Sequence, residues 1–388
     1  MDRTNRILPT YTGDVSGACS ALFELGGMVV IHDPSGCNST YNTHDETRWY
    51  DHDSLVFITG LTERDAILGN DQKLIDDVVD AALELRPRFI ALCNSPVPFI
   101  SGTDFPAICK IIERRCGICC MYVRTNGMHD YVVGASNAFV ELARRFVRET
   151  PRRAGTCNIL GATPLDLGIA GSDSSLREFA RDAGFAVTSC WAMGSSLEEL
   201  RRSAEAEVNL VASATGLPLA HYLHERFGTP YVAGFPVGGF SALLAHALRK
   251  AARTRRCSWP CRDARSANGD TTRLVVGEPV SMGSVAAAME LEGNDPLGLV
   301  CPLEADSELL GACDVTTFGE DEAERALLKA DLVVADALYA PVIPSGARLV
   351  SLPHQAFSGR NGWPEARDLA TIGSVTRELR GTLPSDAS

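Results

Sequence analysis

The chain predicts an α/β fold built as three Rossmann-like parallel-sheet domains in series. Three observations carry that expectation. Strand-sized apolar runs alternate with helix-period segments along the chain, the pattern of parallel strands joined by crossover helices. The alternation restarts after Pro151, and again after residues 257–270, a polar, basic stretch that holds Pro260 and Gly269 and reads as a linker. At 388 residues the chain also exceeds what one core supports, since domains run to roughly 100–200 residues. The expected domains are 1–150, 151–256 and 271–388, with 257–270 as the linker between the last two.

In the first domain Gly27–His32, Ser54–Ile58, Phe89–Cys93 and Cys119–Arg124 read as strands. Between them, Asp71–Leu85 places Leu74, Ile75, Val78, Val79 and Ala82 on one face at the helical period, so it is predicted as an amphipathic helix. The second domain is predicted to run strand Thr156–Leu160, helix Ser174–Gly184, strand Ala186–Ser189, helix Ser196–Ala204, strand Leu210–Ser213, helix Leu217–Phe227, strand Tyr231–Val232 and helix Gly239–Arg253. The third opens with strand Arg273–Gly277 and helix Ser281–Glu290, and continues with strands Leu299–Pro302, Leu332–Ala335 and Arg348–Leu352. Neither GxGxxG nor GxxxxGKS/T follows a first strand, so NAD or ATP binding by this chain is not expected.

Composition narrows the function classes. With 45% hydrophobic and 22% charged residues the chain reads as a soluble globular protein. Apolar runs such as Phe89–Leu92 and Leu332–Ala335 are far below the 18 or so residues of a membrane span, so no membrane partner is expected. Met1–Pro9 has arginines but no apolar core, so no secretory leader is expected and the cytoplasm is the expected location. A net charge of −13 argues against nucleic acid, which needs a concentrated basic surface; the basic run Arg249–Arg256 ends a predicted helix. Thirteen cysteines without an export signal suit a reducing compartment, where thiols stay free or bind metal.

Three of those cysteines share a small-residue setting: Ser16-Gly17-Ala18-Cys19, Pro34-Ser35-Gly36-Cys37 and Leu92-Cys93-Asn94-Ser95-Pro96. They read as a metal site. Each thiol is expected at the end of a different strand or loop, where glycine lets backbone approach a bulky cluster. Cys116, Cys119 and Cys120 straddle a helix end and a strand start and read as core. Cys257 and Cys261 fall in the linker and read as exposed thiols, while Cys109, Cys157, Cys190, Cys301 and Cys313 have no partner pattern.

The string Gly17-Ala18-Cys19, His32-Asp33-Pro34-Ser35-Gly36-Cys37, Leu61-Thr62-Glu63-Arg64-Asp65 with Gly69, and Cys93-Asn94-Ser95-Pro96 with Gly102-Thr103-Asp104 resembles component 1 of nitrogenase and its relatives. Those relatives include protochlorophyllide and chlorophyllide reductases, the reductase that makes the nickel tetrapyrrole of methanogenesis, and scaffolds of nitrogenase cofactor assembly. The resemblance implies an oxidoreductase subunit of three Rossmann-like domains, working as a homodimer or as a heteromer with a paralogous component 1-type subunit. It implies an iron-sulfur cluster at the subunit interface, 4Fe-4S or a larger P-cluster-like one, on Cys19, Cys37 and Cys93, whose thiolates suit iron. It implies a separate ATP-dependent iron-sulfur reductase, similar to the nitrogenase iron protein, that supplies low-potential electrons for a substrate in the interdomain cleft. Two alternatives stand beside this reading: a scaffold or carrier for metal-cofactor assembly, and the non-catalytic subunit of a heteromeric complex.

One departure bears on the cofactor. The strand that carries the cofactor-anchoring cysteine in the catalytic nitrogenase subunit reads here Asn209-Leu210-Val211-Ala212-Ser213, with serine at the aligned position. His354, followed by Phe357-Ser358-Gly359-Arg360, lies in the region of the family's cofactor histidine, although a hydrogen-bonded structural histidine is the simpler reading. A hydroxyl is a poor ligand for a soft cluster, so a large nitrogenase-type cofactor is not expected in this chain. Two further features are open at this level. Phe235–Phe240 is either an anion-receiving helix start or a tight turn, and His32, His44, Asp45 and His52 are either proton donors or surface groups.

Overall fold

In the computed structural model, which describes residues 5–10, 12–34, 46–168, 171–266, 271–293, 295–359 and 367–380, the chain forms three sheets whose strand pairings are all parallel. The first contains β1 (Met28–His32), β2 (Leu55–Ile58), β3 (Ile90–Asn94) and β4 (Cys120–Val123) in the order β2-β1-β3-β4. Its helices are α1 (Asp14–Leu22), α2 (Glu63–Leu68), α3 (Asp71–Leu85), α4 (Pro96–Ser101), α5 (Phe105–Cys116) and α6 (Tyr131–Phe146). Strand residues alternate between two apolar layers. Met28, Val30, Ile90, Leu92 and Cys120 pack with α3 and α5, whereas Val29, Ile31, Ala91, Cys93 and Met121 pack with α1 and α6.

The second sheet contains β5 (Thr156–Leu160), β6 (Ala186–Cys190), β7 (Val208–Val211) and β8 (Tyr231–Ala233), ordered β6-β5-β7-β8. Its helices are α7 (Pro164–Leu167), α8 (Asp173–Asp182), α9 (Leu197–Arg201), α10 (Leu217–Phe227) and α11 (Phe240–Thr254). After α12 (Pro260–Asp263), the third sheet contains β9 (Arg273–Val276), β10 (Gly298–Cys301), β11 (Val315–Thr316), β12 (Leu332–Ala335) and β13 (Arg348–Ser351), ordered β11-β10-β9-β12-β13. Its helices are α13 (Pro279–Leu291), α14 (Glu320–Leu327), α15 (Gln355–Ser358) and α16 (Val375–Arg380). In each sheet the first strand lies in the interior, so connections leave it to both sides. A crevice opens at the carboxyl ends of such strands, where folds of this kind bind ligands.

Residues 257–266 depart from the linker reading. Ser258 pairs with the edge of the second sheet, donating to Tyr231 O at 3.1 Å and accepting from Ala233 N at 3.0 Å, and Cys261 is fully buried rather than an exposed thiol. The basic composition reflects paired arginines. Arg265 forms a buried ion pair with Asp314, and Arg262 lies over the Trp259 ring. Strand β11, two residues long, gave no apolar run to detect.

The N-terminal segment is strapped across the third sheet's loops. Arg6 pairs with Glu320 and Glu324, Tyr339 donates to Pro9 O at 3.0 Å, and Thr12 N donates to Ala356 O at 3.1 Å. Helices α1 and α6 then cross in close backbone contact. A Cβ at Gly134 would sit 1.8 Å from Asp14 O, and one at Gly17 would sit 2.1 Å from Tyr131 O. Because backbone cannot yield as a flexible side chain can, Gly134→Ala is expected to lower stability by about 2 kcal/mol or more, read as a fall in the thermal or denaturant midpoint.

Candidate metal centre

Cys19 lies within α1, not at a loop or strand end as its small-residue setting suggests, and Gly17 beside it serves the crossing with α6 rather than a cluster. Cys93 lies near the end of β3, in register with Ile31 of β1 and Val123 of β4. Both thiols are fully buried in the layer between the first sheet and α1 and α6. Burial raises both well above the ordinary thiol range; Glu46 adds to the effect at Cys19, while Cys19 and Asp14 add to it at Cys93. Cys37 lies outside the described residues. Thiols buried in this way are poor nucleophiles, and two soft donors in one apolar layer suit an iron-sulfur cluster better than acid–base chemistry.

A clasp absent from the sequence-level reading holds this region to the second sheet. The Arg48 guanidinium is buried against Glu46 (2.7 Å) and Glu24 (2.9 Å), and donates to Ser20 O (2.8 Å) and Ala192 O (3.0 Å). Ser20 follows Cys19, so the same arginine fixes the helix that carries the first thiol.

A second buried polar group forms where the three sheets meet. Asp166 accepts from Tyr131 Oη at 2.5 Å and from Thr163 Oγ1 at 2.7 Å. Ser213 donates to Gly161 O at 2.8 Å and shares a 2.7 Å hydrogen bond with Thr215. Glu278 caps α13 by accepting from Val280 N and Ser281 N, and also accepts from Ala214 N at 2.7 Å. His354 stacks on Phe357 with ring centroids 4.3 Å apart, its Nε2 3.8 Å from Asp166. Among the described residues neither of its ring nitrogens has a hydrogen-bond partner, so it is not the satisfied histidine of the simpler reading, and burial lowers its pKa.

A family model described as nitrogenase component 1 type oxidoreductase matches residues 14–254. The chain belongs to that family. It is 25% identical over 239 residues to the nitrogenase iron-molybdenum cofactor biosynthesis protein NifE of Clostridium pasteurianum, covering 57% of this chain and 51% of that protein. It is 24% identical over 221 residues to a light-independent protochlorophyllide reductase subunit of Nostoc punctiforme, covering 54% and 43%. The chain thus spans about half the length of the curated relatives it matches. Its fold superposes on the solved structure "Nitrogenase Cp1 at pH 5" with a TM-score of 0.65 and 16% identity, over 98% of this chain and 92% of the other.

Within this nitrogenase component 1 type chain, the other sequence-level candidates resolve as follows. His32 is buried, bonded through Nδ1 to Thr59 Oγ1 at 2.8 Å, and pushed down to about 4 by burial, so it is neutral rather than a surface proton donor. His52 is exposed, and His44 and Asp45 lie outside the described residues. At Phe235–Phe240 the first amides of α11 are used locally, Phe240 N donating to Val237 O at 3.1 Å and Ser241 N to Gly238 O at 3.3 Å, as in a tight turn. Among the described residues no helix is long and apolar enough to cross a membrane.

Sequence reasoning missed Asp166, Tyr131 and Glu278, which lie far apart in the chain and carry no motif. Burial, and then the charge of Asp166, raises the Glu278 carboxyl to about 7. The folded state therefore holds that proton more tightly than the unfolded chain, and its stabilising contribution falls as pH rises from the ordinary carboxylate range to about 7. Thermal midpoints measured across that window are expected to decline in the parent protein, and the decline is expected to flatten in Glu278→Gln.

Proposed function

We propose that this chain is an oxidoreductase subunit holding an iron-sulfur cluster at a subunit interface through Cys19, Cys37 and Cys93. It would receive low-potential electrons from a separate ATP-dependent reductase and pass them to a substrate in the cleft between the sheets. The observation that carries the reading is that the Cys19 and Cys93 thiols, brought from α1 and β3, share one buried apolar layer in which Cys19 raises the Cys93 thiol. The bound cluster would supply single-electron transfer. The chain's own residues would keep the thiols out of water, fix α1 through Arg48 and hold the ligand-bearing strand in register.

An exposed apolar face supports a partner at this end of the first sheet. Helix α4 begins three residues after Cys93 and contacts α2; Ile100 is 80% and Ile67 75% exposed, with Leu68 and Phe99 beside them. Such a face suits an interface, and stable ones of the obligate kind bury roughly 2,000 Å² or more.

Anaerobically purified protein is expected to be brown and oligomeric, with iron and sulfide bound. Alanine at any one of the three cysteines should lower iron content and bleach the charge-transfer absorption. Full iron retention in all three single variants would refute the ligand set.

A scaffold reading is favoured by the match to the cofactor-biosynthesis protein. Reductase- and ATP-dependent turnover of a candidate substrate supports the enzyme; transfer of bound metal to an acceptor without turnover supports the scaffold.

The two readings share one expectation at the junction. Ser213, hard and protonated, is committed to Gly161 and Thr215, while Tyr131 and Asp166 bond directly to one another. No molybdenum or vanadium is therefore expected in elemental analysis of native protein. A stoichiometric heterometal would overturn that expectation.

A further inference from the structure

We propose that the Glu46 carboxylate, clamped by Arg48 against the helix of Cys19, holds the reduction potential of the cluster low, a role that rests on the cluster reading above. The buried guanidinium divides its donors between two sides. One edge, Nε and Nη2, takes Glu46 in a bidentate pair at 2.7 and 2.9 Å. Nη2 also donates to Ser20 O at 2.8 Å and Ser20 Oγ at 3.2 Å, so the Glu46 carboxylate and the residue after Cys19 share one nitrogen. Nη1 turns the other way, to Glu24 at 2.9 Å and Ala192 O at 3.0 Å, and Glu24 in turn accepts from Gly194 N at 2.7 Å in the second unit. A planar fork gripped on both sides cannot turn, which fixes Glu46 against α1.

Glu46 is 2% and Arg48 1% exposed, so solvent and salt screen the carboxylate's field only weakly. Burial first, and then the charge of Glu46, raise the Cys19 thiol, so that field reaches the sulfur. Glu24 acts instead on Cys190 of the second sheet, where it follows burial, Arg177 and Asp173. One arginine thus holds two carboxylates, of which one faces the candidate ligand and the other faces away. Where Cys19 ligates iron, a fixed anion beside its sulfur disfavours the arrival of an electron, because the electron adds negative charge to the cluster. Such a setting suits a centre that passes on low-potential electrons.

The test is a dye-mediated dithionite titration of anaerobically purified protein, followed by electron paramagnetic resonance, with iron content and thermal midpoint measured on each sample. Glu46→Gln removes the charge, keeps the shape and leaves Arg48 paired with Glu24. It is expected to make reduction about tenfold more favourable, a rise of about 59 mV for a one-electron couple. Glu46→Asp keeps the charge and is expected to stay near the parent potential. Glu24→Gln loosens the same clasp without touching the charge beside Cys19, and is expected to lower the thermal midpoint while leaving the potential near that of the parent. With iron retained in all four proteins, an unchanged potential in Glu46→Gln, or an equal rise in Glu46→Asp or Glu24→Gln, would overturn the proposal and leave the cluster reading standing. Iron lost from Glu46→Gln but kept in Glu46→Asp would make Glu46 a structural tie alone, and would overturn it too. A parent protein without iron would overturn the cluster reading, and this role with it.

Discussion

The architecture depends on one buried carboxylate shared by the sheets. Asp166, on the short helix after β5, accepts the hydroxyl of Tyr131 from the first unit and that of Thr163 from its own, and faces His354 from the third. Its negative charge is one reason Glu278, at the start of α13, holds a proton so tightly. A buried carboxylate is tolerated only when its lone pairs are met, and the first and second units supply the hydroxyls that do so, while the third sets the His354 ring 3.8 Å away. The relative placement of the three sheets thus follows from a polar constraint as well as from apolar burial.

The same logic of close approach operates nearer the thiols. Helix α1 is buried on nearly every side, and its contact with α6 is possible only because Gly17 and Gly134 offer no side chain. Tyr131, the first residue of α6, then reaches Asp166, so the crossing that seats Cys19 also delivers the hydroxyl that neighbours the junction. Candidate metal centre and junction are mechanically one assembly, with Arg48 as the second tie between them.

Much of this was legible in the sequence where apolar pattern and element coincide. Asp71–Leu85, Thr156–Leu160, Leu217–Phe227 and Leu332–Ala335 stand where their periodicity places them. Helix α1 was not legible, because a helix surrounded by protein has no polar face and hence no period to detect. The segment at 257–266 misled for the opposite reason. Its arginines resemble solvated charge, yet Arg265 is sealed against Asp314 and Cys261 lies in the core beneath. Cys19 and Cys93 stand out as candidates through their neighbours in sequence, whereas Tyr131, Asp166 and Glu278 are joined only by the fold.

The strap formed through Arg6, Pro9 and Thr12 bears on the order of assembly. Its anchors, Glu320, Tyr339 and Ala356, lie hundreds of residues further along the chain. The strap therefore precedes in the chain the anchors that fix it, and α1 follows directly from it. The segment that leads into the helix of Cys19 is thus fixed only once the third sheet has formed.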